Sequence, residues 1–301
     1  TVVAPGGDAA GLRVPGTPKG IAVSTDCNGR LVYLDPYAGG AIAVAEAARN
    51  VVCTGATPVA VTDCLNFGNP EKLDVYYTLE HAVRGISEAC LQFDTPVVSG
   101  NVSLYNETQG RPVYPTPVIG LLGILEDVSK HLTASFPAPG ANVFLLGAGL
   151  DAPAASLGGS EYLEALHGMV AGLPSIDLAA ERRLQQLVLA AHAEGLLGSA
   201  HDCSDGGLAV ALAESAILGD CGFEGEAEIP GRLDAGLFGE AQGRIVVSTR
   251  DDHASGRLTE LANEMGVPIT WLGRTAAGEG FRFGPISTTV RALREAWESL
   301  V

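Results

Sequence analysis

Apolar positions along the chain fall into two periods. Short apolar runs at 21–26 (IAVSTD), 58–63 (PVAVTD) and 95–98 (TPVV) read as strands. The first two end in an acid. The third is expected to enter the core as a buried strand and to break at Ser99-Gly100-Asn101, with the chain continuing through Ser103, Tyr105, Asn106 and Glu107. Helical spacing separates these runs. A turn-rich loop at 34–40 leads into a helix over 41–53, with Ile42, Ala45, Ala48 and Val52 near one face, and a second helix covers about 74–92. A strand near 118–125 completes this part. The Pro-rich stretch 135–140 is the best boundary. Beyond it come a strand at 143–146, helical spacing within 177–197, and a helix from Leu208 to near Gly219. A strand at 245–247, a helix ending over 259–265, a strand at 269–272 and a terminal helix at 290–300 follow. The stretch before Gly20 reads as a lead-in strand plus loop. The expected class is α+β, in α/β layers, with domains at 1–136 and 137–301.

Composition narrows the function. The chain has 301 residues, 47% hydrophobic and 18% charged, which is enough for two ordinary domains. Lys and Arg number 18 against 35 Asp and Glu, a formal charge of −17. That argues against a nucleic-acid partner, whose phosphates need cations, but not against a nucleotide bridged to carboxylates by Mg²⁺. The six cysteines contain no C-x-x-C pair, so reduced thiols and a cytoplasmic location are expected. No apolar run has membrane-spanning length.

The candidate chemistry sits where strands end. If the three acid- and amide-terminated strands share a sheet, Asp26, Asp63 and the segment around Gly100 converge, and a divalent cation would relieve their repulsion. Glu46 and Asn50 lie four apart on the first helix, which gives either a solvated polar face or a shared metal or phosphate environment. Ser204 or Asp205 is placed to cap the helix after Gly206-Gly207. Asn101 and Ser103 supply neutral polar groups beside Gly100, although a polar turn would use the same residues. No G-x-x-x-x-G-K-[ST], strand-to-helix G-x-G-x-x-G or G-x-S-x-G motif is present, and the six histidines are dispersed.

Longer motifs carry a resemblance. STDCNGR (24–30), LDPYAGGAIAVAEAARNVVCTGATPVAVTDCLNFGNPEK (34–72), VSGNVSLYNET (98–108), GGSEY (158–162) and HDCSDGGLAVALAE (201–214) resemble the phosphoribosylformylglycinamidine synthase family, large subunit of the bacterial multi-subunit type. The resemblance covers essentially the whole chain. It implies an aminoimidazole-ribonucleotide-synthetase-like N-terminal α/β domain followed by its C-terminal α+β domain, and it looks like the second of the family's two tandem halves. By motif, Asp63 and Gly100 resemble ATP contacts, Asn101 a magnesium ligand, and Ser103 a substrate contact. Asp26, Glu46, Asn50 and Asp205 resemble a weaker, auxiliary nucleotide and metal set. The family's catalytic histidine motif belongs to the first half and has no match here, so no catalytic residue is named and the chain alone is expected to be inactive. The implied reaction is ATP-dependent conversion of formylglycinamide ribonucleotide to its amidine, with Mg²⁺. The implied partners are a glutaminase subunit, a small bridging subunit and the missing N-terminal half, or a second copy of the fragment. The alternatives are an inert nucleotide-binding scaffold and another ATP-using enzyme of the same fold.

Overall fold

The computed structural model describes residues 1–3 and 6–299. The chain begins with β1 (Ala10–Arg13), β2 (Gly20–Asp26), α1 (Gly29–Leu34), α2 (Pro36–Cys53), β3 (Thr57–Asn66), α3 (Leu73–Phe93) and β4 (Val97–Ser103). The short pair β5 (Glu107–Thr108) and β6 (Arg111–Pro112) and the long β7 (Thr116–Leu125) follow. Five strands form one sheet in the order β1-β2-β7-β3-β4. β7 is antiparallel to both β2 and β3, and β4 is parallel to β3, so β2, β3 and β4 run the same way and end at one edge. Period-two burial along β7 turns Ile119 and Leu121 into a core shared with α2 and α3. Leu122 and Ile124, on the opposite face, are only half-buried.

Three expectations are corrected here. First, residues 36–40 are helical. Asp35 caps α2, its side chain accepting from the Ala38 N–H, and Pro36 takes the first helical position. The two glycines serve close packing rather than a turn. A Cβ on Gly39 would lie 2.5 Å from Val32 Cα, and one on Gly40 2.3 Å from the Ala82 carbonyl oxygen. Second, β4 is the sheet's edge, not a buried strand, with Val97, Val98 and Val102 exposed by 45%, 69% and 57%. Third, β4 does not break at Ser99-Gly100-Asn101. Its ladder with β3 runs on to Ser103, because pairing along one side outweighs the weak strand propensity of Gly and Asn.

The second part contains β8 (Asn142–Gly147), α4 (Glu161–His167), α5 (Leu178–Ala193), β9 (Leu197–Asp202), α6 (Gly207–Gly219), β10 (Gly222–Gly225) and α7 (Leu233–Phe238). It continues through β11 (Arg244–Thr249), α8 (Asp252–Met265), β12 (Ile269–Ala276), β13 (Gly280–Phe283), β14 (Ile286–Thr289) and α9 (Val290–Glu298). Seven strands are ordered β14-β13-β10-β12-β8-β11-β9. Alternate residues of β8 face opposite layers: Phe144 and Leu146 pack with α5 and α8, while Val143 and Leu145 pack with α6. The helix expected over 177–197 stops at Ala193, because Gly195 turns left-handed at φ +72° and Leu197 begins β9. Leu300, given to the terminal helix by the sequence, lies outside the described residues.

The two sheets are joined through α2. Its last turn, Val52 and Cys53, packs into the core formed by α5 and α8. Leu132 enters the same core, and Phe136 packs on the other face of the seven-stranded sheet.

Candidate functional site

The common direction of β2, β3 and β4 brings Asp26, the last residue of β2, into one row with Asp63 and Gly100; these two lie within their strands, not at the expected ends, because β3 runs on to Asn66 and β4 to Ser103. Asp26 pairs with Ile119, Ile119 with Asp63, and Asp63 with Gly100. In-register residues share a face, so Asp26 and Asp63 point the same way as the buried Ile119, with Cα atoms about 9–10 Å apart across two strand spacings. The predicted residues nevertheless form two groups rather than one.

The first group lies on the β3–β4 ladder. Asp63 faces Gly100, Cys64 faces Asn101, and Asn66 faces Ser103. Gly100 leaves room for the Asp63 carboxylate, since a Cβ there would stand 2.2 Å from Asp63 Oδ1. Burial raises the Asp63 carboxyl above its usual range, and a hydrogen bond from the Asn101 backbone opposes the rise. The Asn101 amide reaches Cys64 Sγ at 3.7 Å, and Ser103 Oγ donates to Asn106 Oδ1 at 3.1 Å. Beyond the ladder, Tyr105 N–H bonds the Gly68 carbonyl and Asn106 N–H that of Phe67, so the 66–69 and 103–107 segments are laced together. Glu107 is already paired with Lys72 Nζ at 2.6 Å, which lowers its carboxyl.

The second group lines a cavity of about 430 Å³ between the two sheets. Asp26, Glu46 and Asp205 face it, with Arg30 and Glu161. Asn50 stands behind, donating to Asp26 Oδ1 at 2.9 Å. Asn50 is buried and Glu46 half-buried, so the two do not form a fully solvated polar face. Burial, only partly relieved by Asn50, pushes Asp26 up to about 6. Burial likewise holds Glu46 well above the usual carboxylate range, against the pull of Arg49. Asp205 is raised by burial and by Glu161. Asp26 Oδ2 is buried without a hydrogen-bond partner.

This donor set fits a magnesium ion. It offers hard carboxylate oxygens, short of positive charge, with one oxygen orphaned. Among the described residues, no three His, Cys, Asp or Glu side chains already form an ion-holding cluster. Magnesium binds through one or two carboxylates and fills its shell with water and phosphate oxygens, so a preformed cage is not required.

The helix after Asp205 departs from expectation. Neither Ser204 nor Asp205 caps α6. Its N-cap is Gly206 at φ +76°, with no side-chain cap bond. Gly206 and Gly207 are both left-handed, which turns the chain and leaves Asp205 facing the cavity. Glu240 takes over instead. Its Oε1 accepts from Gly206 N–H at 2.8 Å and Glu161 N–H at 2.9 Å, while burial pushes its carboxyl up to about 7. Arg30, from α1, grips Glu161 and Glu164 of α4 across the gap.

Sequence reasoning missed several of these residues. Arg49, wholly buried, pairs with Glu181 and Asp202, and His201 sits between Asp8 and Glu214. The one available signal was an arginine in an otherwise Ala- and Val-rich helix (AEAARNVV). A second cavity, about 610 Å³, includes Glu240, Gln242, Glu181 and Leu31 in its walls.

Comparison with known proteins agrees with this architecture. The family described as AIR synthase related protein, N-terminal domain, matches residues 6–125, and its C-terminal domain matches 138–284. Phosphoribosylformylglycinamidine synthase subunit PurL of Thermomicrobium roseum is 51% identical over 99% of this chain and 40% of that protein. PurL of Thermotoga maritima complexed with ATP is 25% identical, with a TM-score of 0.64 over 92% of this chain and 38% of that one. The same protein complexed with FGAR, at 21% identity, shares the fold with a TM-score of 0.79 over 95% of this chain and 47% of that one. The chain spans well under half the length of the curated relatives it matches. Both domains of one family, matched in order over two successive sheets, mean that this chain belongs to the AIR synthase related family, in its phosphoribosylformylglycinamidine synthase branch.

Proposed function

We propose that the chain is the second half of a phosphoribosylformylglycinamidine synthase, divided into functional units at 136/137. The reaction is ATP-dependent amidation of formylglycinamide ribonucleotide. The γ-phosphoryl group passes to the amide oxygen, and ammonia then displaces phosphate to leave the amidine. In this reading Asp63 and Gly100 contact ATP, Asn101 ligates magnesium, and Ser103 contacts the phosphoribosyl substrate. Asp26, Glu46, Asn50 and Asp205 hold an auxiliary nucleotide through its metal. A magnesium ion would neutralise phosphate charge at these acids. The observation that carries the reading is the facing pair Asp63 and Gly100, where only glycine leaves the carboxylate its place at a strand edge open to a ligand.

The partners follow from the same reading. A first half would supply the histidine and lysine chemistry, and a glutaminase subunit with a small bridging subunit would supply ammonia. The half-buried sheet face of Leu122 and Ile124 and the exposed edge β4 suit docking of that first half, or of a second copy of the chain. No described helix is long and apolar enough to cross a membrane, and with six free cysteines we assign the work to the cytoplasm.

Calorimetry of ATP with the purified chain, with and without Mg²⁺, tests the reading. Magnesium-dependent binding that is weakened by Asp63→Ala as well as by Asp205→Ala supports it. The inert-scaffold alternative predicts that only Asp205→Ala matters, and that Asp63→Ala leaves turnover intact once the first half is supplied.

A further inference from the structure

Arg49 lies on α2 between Glu46 and Asn50, and none of it reaches solvent. Its guanidinium donates to three side chains of the seven-stranded unit. Nε bonds Asp202 Oδ1 at 2.7 Å, Nη1 bonds Glu181 Oε1 at 2.8 Å, and Nη2 bonds Gln242 Oε1 at 3.0 Å. These acceptors sit on three separate segments: the end of β9, α5, and the loop entering β11. A rigid planar fork meets three such acceptors in one placement only. Three residues after Asp202 the chain reaches Asp205. Two residues before Gln242 stands Glu240, which holds the Gly206 and Glu161 N–H groups. On the other side, Arg49's own helix carries Glu46, and Asn50 holds Asp26. One side chain thus ties the segments bearing Asp26 and Glu46 to those bearing Asp205 and Glu161.

We propose that Arg49 is a positioning residue: it sets Asp26 and Glu46 of the five-stranded unit against Asp205 of the seven-stranded unit, so that the two halves of a divalent-cation and nucleotide-phosphate site meet. This rests on the reading of the acid-lined cavity as a magnesium–nucleotide site. Arg49 itself touches neither metal nor nucleotide. Its effect comes through the shell that orients the ligands, a class of contact whose loss typically weakens metal binding about 10–100-fold.

The test is a Mg²⁺ titration of ATP binding, followed by calorimetry, with thermal unfolding of the same proteins. Arg49→Lys keeps the charge but cannot span three acceptors. Gln242→Ala removes one acceptor and leaves no buried carboxylate unpaired. Arg49→Lys should raise the Mg²⁺ concentration for half-maximal ATP binding by about tenfold or more, and Gln242→Ala should raise it by a smaller factor. A residue that only holds the fold together would lower the unfolding midpoint and leave the Mg²⁺ dependence where it was; that result in both variants overturns the proposal. Should Arg49→Lys fail to fold, Gln242→Ala decides by the same criterion. Asp205→Asn separates the underlying reading from this one. An unchanged Mg²⁺ dependence in Asp205→Asn, or no ATP binding by the wild-type chain, overturns the site itself and the inference with it. A changed dependence in Asp205→Asn alone overturns only the role of Arg49.

Discussion

Gly100 shows how much a single hydrogen atom in place of a methyl group decides. A Cβ there would fall 2.2 Å from Asp63 Oδ1, but the obstacle is the tip of a mobile side chain and β4 is exposed. Gly100→Ala should therefore move Asp63 rather than unfold the sheet. The expected stability change is under about 1 kcal/mol, with a fall in ATP affinity of about tenfold or more, which calorimetry would register as 1.4 kcal/mol or more. His201 makes a different prediction. Burial pulls its imidazole down, but Asp8 at 2.8 Å and Glu214 at 3.1 Å outweigh it and push it up to about 10. A folded-state value above the ordinary one of about 6.5 means that protonated His201 stabilises the fold fully below that pH and loses the effect as pH rises to about 10. His201→Gln should lower the melting temperature at neutral pH, and its curve should approach the wild-type curve near pH 10. If the gap does not close, the pair with Asp8 is not what holds the charge. Asp26 and Asp205 were legible in the sequence because an acid at a strand end or ahead of a helix stands out against apolar runs; Asp63 stood out in the same way, although its strand runs on to Asn66. Arg49 and His201 were not, because the three partners of Arg49, and Asp8 beside His201, lie more than a hundred residues away in sequence.

Helix α2 is legible at its C-terminal end, Cys53, but neither at its start, which the sequence pattern predicts at residue 41, nor at its crossings. Asp35-Pro36 is a strong start signal, yet Gly39-Gly40 reads as a turn when neighbours are unknown. The structure shows α3 reciprocating: a Cβ on Gly85 would lie 2.0 Å from the Tyr37 carbonyl oxygen. Backbone stands on both sides and cannot yield as a side-chain tip can. Gly85→Ala should destabilise the fold by at least about 2 kcal/mol, seen as a lower urea midpoint. Gly256, within α8 and with open space around its Cα, is the control; alanine there should stabilise by up to about 1 kcal/mol. Equal effects at the two sites would mean that the α2–α3 contact is not close-packed. β4 teaches the converse. TPVV has the composition of a buried strand, but composition cannot say whether a strand is central or an edge, since that depends on what the other four strands do.

For the whole molecule, α2 serves two cores. Its middle packs on the five-stranded sheet, its last turn packs with α5 and α8, and Arg49 binds three segments of the second unit. The two sheets should therefore unfold together, giving one calorimetric transition whose enthalpy matches the van't Hoff value; two resolved transitions would show the units to be independent. The exposed edge makes a separate prediction. Val98→Glu should leave the melting temperature within about 2 °C of wild type while weakening association with the first half, or with another copy, measured by sedimentation. The sequence by itself determined the alternation of strands and helices, the acid that ends β2, and, through its long motifs, the family. Those are local properties, set by side-chain period and turn chemistry within a few residues. Tertiary structure alone decided that Asp26, Ile119, Asp63 and Gly100 fall in one row, that Asp205 joins Asp26 and Glu46 across two sheets, and that β4 is an edge. Each of these depends on strand order and register, and no short stretch of chain contains that information, because the pairing energy comes from residues far apart in sequence.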